Sequence, residues 1–421
     1  MNKFSLNLCA EVLTNSFENN FSADSQLSYF FKKNKNIGKY ERSLIAETYY
    51  NVIRNKSYLE TLGATSNPFK LILVYLVKLQ GRSVRDLSPH ISEEDSLWLS
   101  EIKSVKLKDI NLSKKLSLPE WFWLKLIRQY KEKLATQIAN SLLLPAQLCI
   151  RVNTLKEKNR NKVISELKDT FSEEKEQISK TNLSPLGIKL PRGSYIQKLP
   201  LFLEGDIEVQ DEGSQLLSYL VDPKRGHMVA DFCAGAGGKT LAIASLMKNT
   251  GRIYSFDISG KRLDNLKIRL KRSGASNISI QRISSENDNK IKRLKEKFDR
   301  VLIDAPCTGF GTLRRNPDLK WKHSEKSLME LVDKQRNILK SASRLCKKKG
   351  LLIYATCSLL DEENELQVEK FLLENSNFKL LPKSVILKKY GIVIDEEKYL
   401  KLNPLKNDTD GFFGAVMERE N

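Results

Sequence analysis

Apolar residues in the first 135 positions recur at helical spacing, with few strand-like alternations. In ERSLIAETYYNVIRNKSYLETL (41–62), Leu44, Ile45, Tyr49 and Ile53 fall on one helical face. FKLILVYLVKLQ (69–80) looks similar, as does PEWFWLKLIRQYKEKLATQIANSLL (119–143), which opens on Pro119 as a first-turn proline. This pattern predicts a helical bundle with Trp121, Phe122 and Trp123 in its core rather than stacked on nucleic-acid bases. LILVYLV (71–77), flanked by Lys70 and Lys78, is too short to cross a bilayer and reads as a buried helix.

Past Leu144 and Pro145 the texture changes. QLCIRVNTLK (147–156) predicts a strand running into a turn, and NRNKVISELKDTF (159–171) a helix. LGIKLP (186–191) and DIEVQD (206–211) are short strands, while SEEKEQISKTN (172–182) reads as a solvated loop. From His227 onward strands and helices alternate. MVADF (228–232), RIYSFD (252–257), ISIQRI (278–283), RVLIDA (300–305) and LLIYATC (351–357) are strands, with helices near 239–248, 260–273, 325–347 and 362–374. Such alternation predicts a parallel sheet covered by helices on both faces, with its ligand at the carboxyl ends of the strands. The expected division is a helical domain at 1–140, a small α/β module at 141–225 and an α/β domain at 226–421.

Charge sharpens the picture. The 421 residues carry 71 Lys and Arg against 51 Asp and Glu, a net charge of +20. A lysine- and asparagine-rich composition reflects an AT-biased genome, but that bias does not favour bases over acids. The excess calls for a polyanion, and nucleic acid fits best because Lys and Arg release counterions from phosphates. The amino terminus lacks a long apolar stretch, so no export signal is expected and the cytoplasm is the expected location. The six cysteines form no C-x-x-C pair and the three histidines are scattered, so neither a metal site nor a disulfide framework is expected.

DFCAGAGGKT (231–240) poses the main choice. Gly238-Lys239-Thr240 ends like an ATPase phosphate loop, and RVLIDA resembles a strand ending in a magnesium-binding acid. The first glycine of that pattern would be residue 233, which is Cys233. Asp257 ends the next strand, 22 positions after Gly235, where a carboxylate can accept hydrogen bonds from both hydroxyls of a ribose. A glycine loop below it lets backbone approach closely, and the following helix start welcomes a carboxylate. S-adenosylmethionine offers ribose, adenine and a methionine carboxylate together.

Two cysteines decide between the readings. DAPCTG (304–309) and YATCS (354–358) each put a thiol at a strand tip, Cys307 and Cys357. Cys9, Cys149 and Cys346 have no such setting and read as structural, and Cys233 as a backbone contact. C5 of cytosine is a poor nucleophile toward a sulfonium methyl; a thiolate added at C6 makes it enamine-like. A second thiol can then assist release, and an acid such as Asp304 can hydrogen-bond the base at its N3/N4 edge. The base must leave its stack to reach such a pocket.

DFCAGAGGKT, RVLIDAPCTGFGTLRRNPDLKW and YATCSLLDEENELQVEKFL closely resemble the RsmB/NOL1/NOP2/Sun family of RNA cytosine-5 methyltransferases. RVNTLK (151–156), VQDEGSQL (209–216) and DGFFGAVMER (410–419) also look like family blocks, so the likeness covers about 145–421. GKYERSLIAETYYNVIRN (38–55) resembles the NusB-like extension of the bacterial branch that modifies small-subunit ribosomal RNA. The resemblance implies a Rossmann-like class I methyltransferase domain, preceded by a small RRM-like module and an all-helical NusB-like domain.

It implies roles as well. Cys357, in Thr-Cys-Ser, would attack C6 and Cys307, in Pro-Cys, would help release the product. DNA cytosine-5 methyltransferases attack from Pro-Cys instead; the additional Thr-Cys-Ser cysteine favours the RNA family. Cys233, Ala234, Gly235, Ala236, Gly237, Gly238 and Lys239 would wrap the methionine part of S-adenosylmethionine, with Lys239 near its carboxylate. Asp257 would hold the ribose, and Asp304 would face the methyl end and the target base. The family's acid near the adenine has Ser285 at its ungapped position here, so its role passes to Glu286 beside it. In NPLKNDTDGFF (403–413) many relatives carry a histidine before the Asp-Gly-Phe-Phe block. Arg314 and Arg315 would contact RNA phosphates. The expected enzyme is a monomer without membrane contact acting on ribosomal RNA in preference to tRNA. A non-catalytic assembly factor and a phosphate-loop NTPase are the alternatives.

Overall fold

The consecutive apolar runs after His227 fold as neighbouring strands because both faces of their sheet are covered. The structure is a computed structural model and describes residues 1–19, 21–104, 110–394 and 398–420. An antiparallel sheet holds β1 (Leu148–Val152), β2 (Ser179–Lys180), β3 (Gly187–Leu190) and β4 (Ile207–Val209) in the order β2-β3-β1-β4. A larger sheet holds β5 (Met228–Asp231), β6 (Arg252–Asp257), β7 (Ile278–Arg282), β8 (Phe298–Asp304), β9 (Cys346–Thr356), β10 (Phe378–Leu381), β11 (Leu400–Leu402) and β12 (Phe412–Arg419). Its order is β10-β12-β9-β8-β5-β6-β7, with β11 also paired to β12. Strands β5 to β9 run parallel, and β12 enters antiparallel between β9 and β10. This is the Rossmann-like methyltransferase order.

Alternate residues of each central strand feed opposite cores. Val229, Leu302 and Ile353 pack with the helices Glu212–Leu220 and Gly238–Leu246. Ala230, Val301, Ile303, Leu352 and Tyr354 pack on the other face with the helices Glu325–Ser343 and Glu365–Glu374. The strand β9 begins five residues before the predicted Leu351, because Cys346 pairs with Phe298 across the ladder. Lys347-Lys348-Lys349 hides that start in the sequence by reading as a turn.

The smaller sheet follows a split β-α-β-β-α-β path with the helices Arg160–Thr170 and Pro200–Leu203. Its edge β2, together with the 3-10 turn Ser172–Gln177, lies where a loop is expected. Ser179 and Lys180 are both exposed, so no apolar alternation marks the strand. The module does not separate from the large sheet: residues 146–311 and 326–421 form one compact unit. Asn153 of the RVNTLK block explains part of this union. Its amide donates to the carbonyls of Gly205 and Ser273 at 2.8 Å, and its Oδ1 accepts from Ser245 at 3.0 Å.

The other unit comprises residues 1–145 and, unexpectedly, 312–325. The predicted helix at 41–62 is two, Lys39–Arg54 and Lys56–Gly63, broken at Asn55, whose side chain bonds the Asn51 carbonyl. The 69–80 run is α-helical over Pro68–Val74 and widens to a π turn at Tyr75–Leu79. Glu120–Leu142 kinks at Lys131, and Phe122 and Trp123 are buried as expected, whereas Trp121 is only half-buried. The late segment is sewn to helix ends. Lys320 Nζ donates to the Arg54 carbonyl at 2.6 Å and Trp321 Nε1 to that of Ile53 at 3.1 Å, satisfying carbonyls that a helix end leaves open. The Arg54 guanidinium in turn donates to the Arg314 carbonyl at 2.8 Å. RRNPDLKW is thus largely buried rather than a solvated loop: Arg314 is 7% exposed, and only Arg315 of the pair is half-exposed. Arg314, expected to contact RNA phosphates, is thus buried, and Arg315 is the more exposed of the two.

Candidate active site

The parallel order places the carboxyl ends of β6, β5, β8 and β9 side by side. Asp257, the loop after Asp231, Asp304 and Cys357 therefore converge from four strands. They border a cavity of about 680 Å³, within the size range of small-molecule sites. Cys233, Ala234, Gly235, Ala236, Gly238 and Lys239 all line it, as do Glu286, Asp304, Cys307 and Cys357. Arg314 and Arg315 do not.

Gly237 lies behind the cavity wall and makes the turn. Its φ is +80°, and an added Cβ would sit 2.1 Å from Leu266 Cδ1, so a side chain is excluded by both conformation and space. The loop leads into the helix Gly238–Leu246. Thr240, whose counterpart in a phosphate loop would face a magnesium ion, is buried and donates instead to Asp231 Oδ2 at 2.6 Å. This disfavours the NTPase reading on geometry.

Asp257 organises the loop before any ligand arrives. Its Oδ2 accepts the Gly235 amide at 2.8 Å and its Oδ1 the Ser259 amide at 2.7 Å. Each oxygen keeps further acceptor capacity. The small module braces the same loop from behind. Buried Glu208 of β4 accepts from Arg269 at 2.8 Å and from Arg272 at 2.6 Å, and Arg269 Nη1 donates onward to the Ala236 carbonyl at 2.9 Å.

Lys239 Nζ lies 2.7 Å from Asp304 Oδ2. Burial alone would lower the ammonium, but the Asp304 carboxylate overrides it and holds Lys239 above its ordinary value. This charged pair lines the same cavity as the glycine loop and the cysteines. Asp231, fully buried beneath, is pushed up by burial to about 7, against the opposing Thr240 hydrogen bond. A carboxyl raised on folding binds its proton more tightly in the native state, so stability falls as pH rises from the ordinary carboxylate range to about 7. Asp231→Asn is expected to flatten that slope, read as urea midpoints between about pH 4 and about pH 8. An unchanged slope would assign it to other groups.

The sulfurs of Cys307 and Cys357 lie 3.4 Å apart. Backbone holds their loops together: the Gly311 amide donates to the Cys357 carbonyl at 2.9 Å, and the Gly411 amide to the Gly311 carbonyl at 2.7 Å. A Cβ on Gly311 would sit 2.1 Å from the Gly411 oxygen, which accounts for glycine there. The Cys307 thiol is held well above its usual range, first by its hydrogen bond with Cys357, then by burial and by the charge of Glu363. Burial likewise raises Cys233, and it raises Cys346 to about 12, consistent with unreactive thiols there.

Several lining residues were not anticipated. Ile258, Ile283 and Ile338 give the cavity an apolar wall, and Arg262, Lys334 and Ser214 add polar edges. Ile258 follows Asp257 and is 51% exposed, an apolar residue at a strand tip that could have signalled a flat ring. Glu286 accepts from Asn287 at 3.2 Å, and its carbonyl accepts from Ser341 at 2.5 Å. Among the described residues, no helix is long and apolar enough to cross a membrane and no cluster of three His, Cys, Asp or Glu could hold a metal ion.

Residues 218–418 match the family model described as 16S rRNA methyltransferase RsmB/F. The chain is 32% identical over 312 residues to the probable ribosomal RNA small subunit methyltransferase B of Bacillus subtilis (strain 168), covering 73% of this chain and 68% of that protein. The corresponding probable enzyme of Synechocystis sp. is 31% identical over 318 residues, covering 74% and 68%. A methyltransferase homolog protein from Pyrococcus horikoshii, of solved structure, superposes with a TM-score of 0.60 at 31% identity, covering 73% of this chain and 97% of that one.

Proposed function

The chain belongs to the RsmB/F family of 16S rRNA methyltransferases, and on that premise we propose that it methylates C5 of a cytosine in 16S ribosomal RNA through a covalent cysteine adduct. The observation that carries the proposal is the pair of sulfurs 3.4 Å apart at the tips of adjacent strands, opening on the same cavity as the glycine loop and Asp257.

The residues fit S-adenosylmethionine. Asp257 would accept from the ribose hydroxyls, Ile258 and Ile283 on the cavity wall would face the adenine, and Glu286 in the same lining would stand near it. Loop 233–238 offers backbone, and Lys239 a cation, to the methionine end. When bound, the cofactor supplies an electrophilic methyl group on a sulfonium.

Cys357, as thiolate, forms a bond to C6 and drives electron density to C5, where the methyl is accepted. Asp304, steadied by Lys239, hydrogen-bonds the N3/N4 edge of the ring as charge accumulates. The C5 proton then passes to a base, the role open to Cys307 as its thiolate beside the adduct, as the C5–C6 double bond reforms and the C6–sulfur bond breaks, returning Cys357 as thiolate. Cys307 assists this release.

The enzyme acts as a monomer in the cytoplasm, with the helical unit and the small module as RNA-binding surfaces. The net charge of +20 supports both RNA roles. Bisulfite sequencing of RNA from cells with and without the gene tests this reading. Loss of one protected cytosine in 16S rRNA is the expected result. Loss in a tRNA would transfer the substrate, and an unchanged pattern in expressing cells would favour an assembly factor.

A further inference from the structure

Glu363 has a place in the structure that its sequence context does not announce. It lies in the acidic run DEENE at the start of the helix expected near 362–374, yet it is 0% exposed. Its carboxylate collects donors from three separate segments. Oε1 accepts the Thr308 amide at 2.8 Å and Gln335 Nε2 at 3.0 Å; Oε2 accepts Thr308 Oγ1 at 2.5 Å and also the Ser358 hydroxyl. Thr308 follows Cys307 and Ser358 follows Cys357. Gln335 also donates to the carbonyl of Pro306 at 2.9 Å, on the other side of Cys307. The Glu363 carbonyl is itself anchored by Tyr354 Oη at 2.7 Å.

We propose that Glu363 is a positioning residue for the paired cysteines: one buried carboxylate ties the residue after Cys307 to the residue after Cys357 and so sets their sulfur separation. The inference rests on the methyltransferase reading for its catalytic consequence, though not for its geometry. Burying a carboxylate is costly unless its lone pairs are filled, and here four donors fill them. A cluster this complete holds its two loops rigidly, and small displacements of reacting groups cost large factors in rate.

The variants separate shape from charge. In Glu363→Gln the amide oxygen can still accept from the Thr308 amide and Gln335, and the amide nitrogen can donate to the Thr308 and Ser358 hydroxyls, which turn to accept. Glu363→Ala removes all four carboxylate bonds and leaves the Thr308–Ser358 hydroxyl contact at 3.3 Å and the Gly311–Cys357 backbone bond. Glu363→Ala is expected to lower kcat about 100-fold with S-adenosylmethionine affinity within about threefold, and Glu363→Gln to restore turnover to within about fivefold of the parent. Should the alanine protein not fold, Ser358→Ala cuts only the Cys357 tie and is expected to lower kcat about 10-fold. Wild-type kcat in Glu363→Ala (or in Ser358→Ala, where that stands in) would overturn the proposal, as would a glutamine variant as impaired as alanine.

Iodoacetamide labelling of Cys307 and Cys357, followed by mass spectrometry, reads the same geometry without any methylation. Both thiols should label at least about 10-fold faster in Glu363→Ala, or in its Ser358→Ala substitute, than in the parent or Glu363→Gln. Equal labelling in all variants would overturn the positioning role. If the parent labels slowly and the released variant quickly while no RNA is methylated, the methyltransferase reading fails and the positioning inference stands.

Discussion

Cys357→Ala is expected to abolish methyl transfer, lowering the rate by about 10⁴-fold or more while S-adenosylmethionine still binds with near-parent affinity. The size follows from the chemistry: without a sulfur on C6, C5 never gains enamine character. Cofactor affinity should persist because the glycine loop and Asp257 are held by Glu208, Arg269 and their own backbone bonds, none of which involves Cys357. Radiolabel transfer to 16S rRNA and calorimetric titration of the cofactor read the two quantities separately. Substantial remaining transfer would remove Cys357 from the nucleophile's role.

Cys307→Ala should give the opposite signature, a covalent protein–RNA species that survives denaturing electrophoresis. Attack by Cys357 proceeds, but expulsion of the sulfur from C6 loses its helper, so turnover falls by about 100-fold and the adduct accumulates. Its sulfur lies 3.4 Å from that of Cys357, so the alanine leaves the attacking loop in place while removing the adjacent thiol. A Cys307→Ala protein that turns over normally and traps nothing would assign release to another group. The double variant distinguishes true trapping from nonspecific crosslinking, because without Cys357 no adduct can form.

Much of the large domain was legible from the chain. RIYSFD and ISIQRI become β6 and β7 nearly residue for residue, because β-branched and aromatic residues recur along each between turn signals. DFCAGAGGKT, DAPCTG and YATCS were readable because each sits directly after such a run, and the parallel fold carries every run's end to the same edge. The amphipathic helices were legible for a similar reason, since their period is local. Breaks were not: Asn55 and Lys131 interrupt helices whose apolar period continues across them.

Local sequence therefore determined the strand and helix pattern, the strand-tip chemistry and the demand for a polyanionic partner, all properties of consecutive residues or of composition. Tertiary structure decided what pairing across long separations decides. Glu363 looks like surface acid and is a buried tie between two cysteine loops. Glu208 braces a glycine loop from another sheet, and Arg314 and Lys320 look like free cations although they are buried. For Glu363, Glu208 and Lys320 the physical reason is shared: a charged residue goes inside only when partners satisfy it, and theirs include groups far away in the sequence.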